Sequence, residues 1–339
     1  MTAARASETA TTLDFDSQPE SPSGLDIILA YHERTKHRPF RFAPALGYMD
    51  WDTQPDPFRR FEAAAVLPLD LLPVRPEPRY EPAFALGHIA QSPLDRVSIS
   101  QLFQDALALS AWKQAGSSRW SLRVNPSSGN LHPTEGYKVM PGSRQVPFTT
   151  LPWRPCVDLL LFVHRVADLT PGLYALVRDP MRKEALERAM GRALAWTRAH
   201  GCPASLPFFF LEAGDACRAA RQTSCEQEIA ADGVFAAAML AEYRASLEAF
   251  GPWFYRRLYW ETGVIGQVLY LEAEASGIRS TGIGCFFDDL THRVFGLTGD
   301  RFQVLYHFTM GGPVEDLRLQ THPPYQHLAR AIGRDVPRE

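Results

Sequence analysis

The amino-acid sequence predicts an α+β fold. Short runs at residues 157–163, 172–177, 206–211 and 302–310 read as strands, that at 206–211 as a buried one. Apolar residues recur at helical spacing from Ser98 to Leu109 and again across residues 261–275. The two kinds of segment follow one another without the strict strand–helix alternation of a parallel α/β protein.

Taken in order, residues 1–24 are rich in Ala, Thr, Ser and Glu and read as a disordered tail without the basic and apolar regions of a signal peptide. A helix is expected from Asp26, with Ile27, Ile28 and Tyr31 on one face. It runs into a basic patch of Arg34, Lys36, His37, Arg38 and Arg41, read as a solvated helix end in preference to a phosphate contact. Residues 43–95 are proline-rich and irregular, and Trp51, Phe58 and Phe61 suit an arm that wraps over a core. The organisation expected is therefore a tail (1–24), a helix with a wrapping arm (25–95) and one main domain (96–330).

Ser98 with Gln101 reads as a capping box, opening a helix that Gly116-Ser117-Ser118 ends. A turn-rich loop follows from Leu122, with Asn125-Pro126 and Gly129-Asn130 as its turn signals, and residues 136–140 read as a strand. Asp179-Pro180 turns the chain into a helix through Met190. Ser224 with Gln227 is a second capping box, opening a long alanine-rich helix through Ile229, Gly233, Ala237 and Leu240 to about Phe250. Gly251-Pro252 breaks it. The helix of residues 261–275 ends at Gly277 as C′ residue. The glycine loop Thr281-Gly282-Ile283-Gly284-Cys285-Phe286-Phe287-Asp288-Asp289 starts another short helix, and the tail from Glu315 is polar.

Composition excludes several classes. A net charge of −3 carries no electrostatic footprint for nucleic acid or an anionic membrane, and no apolar run of spanning length occurs. The five cysteines are scattered with no Cys-x-x-Cys. That argues against a disulfide framework or a structural zinc and fits a reducing cytoplasm. There is no Gly-x-Ser-x-Gly, no Walker lysine and no Gly-x-Gly-x-x-Gly. His32-Glu33 lacks the second histidine of a metalloprotease, and no metal is expected. Two loops remain, residues 125–132 and 281–287, each offering backbone donors and the close approach that glycine permits.

Both loops carry a resemblance. Asn125-Pro126-Ser127-Ser128-Gly129-Asn130-Leu131-His132-Pro133 resembles the flavin-binding loop of the nitroreductase superfamily. With Ser280 through Asp289, and with Trp260-Glu261-Thr262-Gly263 leading to Glu272-Ala273-Glu274-Ala275, it resembles the SagB/ThcOx-type dehydrogenases of that superfamily over roughly two thirds of the chain. The resemblance implies a nitroreductase-like central antiparallel sheet flanked by helices, non-covalent FMN and a homodimer. It implies that Pro126, Ser127, Ser128 and Asn130 lie along the flavin ring and that Arg123 lies near the phosphate or ribityl chain. Gly282, Gly284 and Cys285 would present N–H groups near N5 and O4. The Arg-Arg-Ser-x-Arg phosphate motif of nitroreductases is missing before Ser98, which leaves Arg119, Arg123 and Arg318 as phosphate candidates. No lysine precedes a tyrosine, unlike the azoline-oxidising members. Tyr255, Arg256, Arg257, Tyr259, Trp260 and Glu261 are candidate site-lining residues.

The function expected is an FMN-dependent oxidoreductase for a small or peptide-derived substrate, with NADH or NADPH as candidate electron donor. The alternative is a non-catalytic peptide- or partner-binding protein on the same scaffold. A third reading makes Cys285 the centre of a thiol enzyme.

Overall fold

The computed structural model describes residues 22–45, 47–48, 50, 67–73, 79–83, 92–127 and 151–325. The strand expected at 136–140, the aromatic residues Trp51, Phe58 and Phe61, and almost all of the expected N-terminal tail lie outside them. The chain divides into two compact units, each described by itself.

The first unit comprises residues 1–43, 155–263 and 282–309. Its centre is strand β3 (Val157–Val163), buried at every position. β3 pairs antiparallel with β4 (Gly172–Leu176) on one side and β7 (Phe235–Glu242) on the other. The sheet continues outward from β4 through β6 (Phe208–Ala213) to β5 (Thr197–Arg198), both antiparallel. Beyond β7 it continues through β9 (Phe302–Gly311) to the edge strand β8 (Arg279–Ile283), making seven strands. At the pairing of β4 and β6 a side chain is impossible. A Cβ on Gly172, at φ +155°, would stand 2.1 Å from the Glu212 carbonyl oxygen.

β7 corrects the expected alanine-rich helix. The helix there is only α6 (Ile229–Asp232), and α7 (Tyr243–Phe250) begins after the strand. Alanine has the highest intrinsic helix propensity, but residues 236–241 are buried on both faces between β3 and β9, and tertiary context overrides propensity. Ala236, Ala238 and Leu240 pack into one core cluster with Leu160, Phe162, Phe302 and Val304. Leu186 from α4 (Lys183–Ala189), Ala220 from α5 (Cys217–Thr223) and Phe295 from α9 (Asp288–Phe295) join that cluster.

Charged groups are also built into this unit. The Asp158 carboxylate, fully buried on β3, accepts two bonds of 2.9 Å from the Arg182 guanidinium and one of 2.7 Å from the Arg178 amide. Glu261, equally buried, accepts from the amides of Cys156 at 3.0 Å and Val157 at 3.1 Å and from Arg178 Nη1 at 2.5 Å. Each carboxylate thus trades water for several donors, the condition under which a buried charge persists. Glu261 belongs to α8 (Tyr255–Ala275), which begins six residues earlier than the expected helix.

The basic patch is likewise not a solvated helix end. α1 (Gly24–Thr35) is opened by a capping box between Ser23 and Asp26. Its expected apolar face is the exposed one, with Ile27 at 54% and Tyr31 at 49% exposure. His32 and, just beyond the helix, Lys36 are the buried residues. Lys36 Nζ lies 3.1 Å from Asp289 and 3.2 Å from Glu33, and Arg38 Nε donates to Asp289 at 3.2 Å.

The second unit comprises residues 44–154, 264–281 and 310–339. It holds α2 (Tyr80–Ala83), α3 (Arg96–Leu107) and a three-stranded sheet of β1 (Leu109–Ala115), β2 (Ser118–Arg123) and β10 (Gln320–His322). The cap of α3 is Asp95, reciprocated by Ser98, three residues earlier than the expected box. Leu109, counted above as helical, opens β1. Gly116, at φ +58°, makes the hairpin turn rather than a helix end. Residues 67–73 of the proline-rich segment are hydrogen-bonded to α3 side chains in this unit. Gln104 holds both the amide and the carbonyl of Leu72 at 2.9 Å, and Ser100 Oγ accepts from the Asp70 amide at 3.0 Å.

Candidate functional site

A cavity of about 570 Å³ opens in the first unit, and every residue lining it belongs to that unit. Four pieces of chain meet there. α1 and the residues after it contribute Tyr31, His32, Thr35, Lys36 and His37. The first turns of α8 contribute Tyr255, Arg256, Tyr259 and Trp260. The connection between β8 and α9 supplies Gly284, Phe286 and Asp288, and β9 supplies Leu305 and Tyr306. The walls are largely aromatic, with a few polar groups converging, the composition typical of small-molecule sites.

The polar groups form an ordered chain. Tyr259 and Tyr255 hydroxyls are 3.1 Å apart, and Tyr255 Oη lies 3.2 Å from His32 Nδ1. His32 Nε2 lies 3.3 Å from Gln303 Oε1, an acceptor, so Nε2 carries the proton and Nδ1 accepts from Tyr255. Burial, with the Lys36 charge acting in the same direction, lowers the His32 pKa to about 4, so the imidazole is neutral near pH 7. Burial also pushes Tyr255 and Tyr259 upward, so neither hydroxyl ionises near neutrality.

Asp288 is the acidic group of the cavity. It is the first residue of α9, where a helix N-terminus favours a carboxylate, yet it is only 4% exposed. Burial dominates and pushes its pKa up to about 7, against the opposing pull of Lys36. Its Oδ1 is 3.9 Å from His32 Nε2. One turn further along α9 stands His292, 8% exposed, lowered to about 4 by burial, with a buried Nε2 that has no hydrogen-bond partner. A carboxyl group that exchanges its proton close to pH 7 is suited to general acid–base work.

The glycine loop divides its work. Gly282 is required by close approach, because a Cβ there would stand 2.7 Å from Tyr306 Oη and 2.9 Å from its Cε1. Gly284 lines the cavity with Tyr306 as nearest neighbour, at 3.7 Å from a Cβ placed there. Gly282→Ala is expected to displace the Tyr306 ring and to weaken a ligand of this cavity about tenfold, worth about 1.4 kcal/mol. A fluorescence titration giving unchanged affinity would contradict that placement of Tyr306. Beneath the loop, Phe286 stacks on the fully buried His307 at 4.8 Å. His307 is bonded to Ser224 Oγ at 3.0 Å and Thr291 Oγ1 at 3.2 Å, and burial lowers its pKa to about 3.

Cys285 corrects two expectations. It is crosslinked to Cys225, 60 positions away in sequence, with Cα atoms 5.9 Å apart, so the chain carries a disulfide and Cys285 is not a free nucleophile. Of the helix-entrance residues, Tyr255, Arg256, Tyr259 and Trp260 line the cavity. Arg257 instead lies over the rings of Trp253 and Trp260, and Glu261 turns into the core.

The other predicted loop belongs to the second unit. Arg123 closes β2 opposite Leu109, and Pro126 and Ser127 follow it outside regular secondary structure. Ser128 and Asn130 lie outside the described residues. Among the phosphate candidates, Arg318 is engaged by both oxygens of Asp316 at 2.8 and 2.7 Å, and Arg119 lies 4.6 Å over the Trp112 ring. Sequence reasoning missed His32, Lys36 and Asp288. The signal for the first two was their i, i+4 spacing on one turn of α1 and its continuation. Asp288 stood inside a quoted motif without a role.

Among the described residues no group of three His, Cys, Asp or Glu side chains is arranged to hold a metal, and no helix is long and apolar enough to cross a membrane. No protein-family model matches the chain, and no curated protein sequence matches it. Solved structures do. A crystal structure from Anabaena variabilis classed as a nitroreductase is 18% identical, covered by 84% of this chain over 46% of its own length, with a TM-score of 0.35. This chain thus spans less than half of that protein. The E. coli microcin synthetase McbBCD complex with truncated pro-MccB17 bound contains a chain that is 16% identical, with 88% of this chain and 95% of that one covered and a TM-score of 0.43. The NADPH:FMN oxidoreductase of Vibrio harveyi, solved with NAD+, is 13% identical over 41% of this chain and 64% of that one, with a TM-score of 0.25.

Proposed function

We propose that this protein is an FMN-dependent oxidoreductase of the SagB/ThcOx-type dehydrogenase branch, acting on a small or peptide-derived substrate. The observation that carries the reading is the convergence, in one aromatic cavity, of the glycine loop and a carboxyl group tuned to neutral pH. The cavity volume lies within the roughly 300–1,000 Å³ of small-molecule sites. Its donor chemistry fits a flavin: flat aromatic walls, a glycine that leaves the loop backbone approachable, and the Arg256 guanidinium for a phosphate.

Bound flavin supplies hydride acceptance or donation. The chain's own residues do the rest. Gly284 and Phe286 form one wall, with Tyr306 held beside it by the missing side chain of Gly282. Asp288 holds or releases the proton that accompanies hydride transfer. His32 stands beside that carboxyl group, its Nε2 3.9 Å from Oδ1, and burial keeps its ring neutral. The fold also gathers Lys36 with Tyr31, Tyr255 and Tyr259, so the lack of a sequential lysine–tyrosine pair does not remove heterocycle oxidation from the proposed substrate class. The proposal includes a homodimer, supported by the half-exposed Tyr31 and Trp260 at the cavity, and NADH or NADPH as electron donor. Titration of the purified protein with FMN, followed by quenching of flavin fluorescence, tests the reading. Saturable binding is expected, and a flat titration in protein that is otherwise folded would favour the non-catalytic binding scaffold.

A further inference from the structure

The connection that lines the cavity is tied down by the disulfide. Cys285 sits between Gly284 and Phe286, both cavity-lining, and its partner Cys225 lies in the turn after α5. That turn is unusual in its backbone. Cys225 and Glu226 have φ values of +55° and +58°, two successive non-glycine residues in the left-handed region. Such residues persist only where their surroundings hold them. Two clamps besides the disulfide hold this turn against the loop. Gln227 Nε2 donates to the carbonyls of Ser224 at 2.9 Å and Cys285 at 3.1 Å, and the Phe287 amide donates to Thr223 at 2.8 Å. Both flanks rest on His307, through the Ser224 hydroxyl on one side and the stacked Phe286 ring on the other. The two cysteines are themselves only half-buried, within reach of a small reductant.

We propose that the Cys225–Cys285 pair is a reversible redox site that sets the geometry of residues 284–286 at the cavity wall. A dithiol reductant opens it. One thiolate of the reductant attacks a sulfur of the pair, the other cysteine leaves as thiolate, and the second thiol of the reductant displaces the mixed disulfide. Two electrons and two protons pass to the protein, giving two cysteine thiols and the oxidised cyclic disulfide of the reductant. Once the bond is broken, the Cys225–Glu226 turn is free to leave the left-handed region and the loop loses its covalent tether. The Gln227 and Phe287 bonds limit the change to this wall. The proposal needs the cavity's geometry and not the identity of its ligand.

The test uses the full chain purified without reductant. Samples with and without dithiothreitol under native conditions are alkylated with iodoacetamide and analysed by peptide mass. Cys225 and Cys285 should be unlabelled in the first state and both labelled in the second. Hydrogen exchange at residues 284–287 should then rise about tenfold in the reduced protein, with β3 unchanged. A Cys225→Ser variant should exchange as the reduced protein does, with or without dithiothreitol. Labelling of both cysteines without reductant, labelling only in denaturant, or equal exchange in oxidised, reduced and Cys225→Ser protein would each overturn the proposal.

Discussion

Asp288→Asn is expected to lower turnover by about 10²–10⁴-fold, the usual contribution of a positioned acid or base, while making the folded protein more stable above neutrality. The two effects share one cause. Burial holds the Asp288 pKa near 7 in the fold, against 3.8 for an ordinary aspartate. Between those values the folded state binds the extra proton. Stability from this group is therefore fully present below pH 4, falls as pH rises toward 7, and is flat above. Lys36, Arg38, Asp289, His32 and His292 all face this group. Burial lowers both histidines to about 4, so they are neutral through most of that window and gain charge only as pH approaches 4, in variant and parent alike. Asparagine removes the carboxyl group's pH-dependent loss, so melting temperatures of the variant and the parent should diverge from pH 4 to 7 in favour of the variant. A variant that retains full turnover would remove Asp288 from the proposed chemistry. A variant whose melting profile parallels the parent's would show that the carboxyl group is not held protonated. Loss of activity with gain of stability is the usual mark of a group kept for function at the fold's expense.

Glu261→Ala is expected to cost about 3–5 kcal/mol, because it removes at once the carboxylate partner of the half-buried Arg178 and the acceptor of two buried strand amides. Arg178 loses its 2.5 Å partner, and the Cys156 and Val157 amides, at the start of the central strand, lose their acceptor. For a chain of this size that corresponds to a melting point lower by roughly 4–7 °C. Glu261→Gln keeps the shape and one acceptor oxygen and should lose less. Urea denaturation of the three proteins measures the difference. A midpoint for Glu261→Ala close to the parent's would mean that Arg178 and the amides find water, and that the carboxylate is not the anchor of β3. The prediction matters for the site because α8 carries Glu261 on one face and Tyr255 and Tyr259 on the cavity side.

How much was legible depends on what each residue type can say alone. Residues 157–163 are apolar at every position but Asp158 and too short for a buried helix, so β3 could be read directly. β7 could not. Ala236 to Ala241 favours helix in isolation, and its strand state is imposed by neighbours distant in sequence. The same holds for Leu109, which continues the helical spacing of α3 yet starts β1. The glycine loop at 282–284 was readable as a place of close approach, though not that Tyr306 is what approaches. His32, Lys36 and Asp288 carry polar side chains whose burial is decided by tertiary packing. Local patterns therefore placed the first two on solvent or left them without a role. The Cys225–Cys285 pairing spans 60 residues, and spacing carries no information about such a bond.

The central claim is that the cavity beside Gly284 and Asp288 takes a flavin that can be reduced. The most direct measurement is the absorption spectrum of the purified full-length protein before and after reconstitution with FMN, followed by addition of NADH, NADPH or dithionite. The account predicts a band near about 450 nm, the flavin signature, that stays with the protein through gel filtration and bleaches on reduction. Protein that remains colourless after reconstitution, with its fold intact, would contradict it.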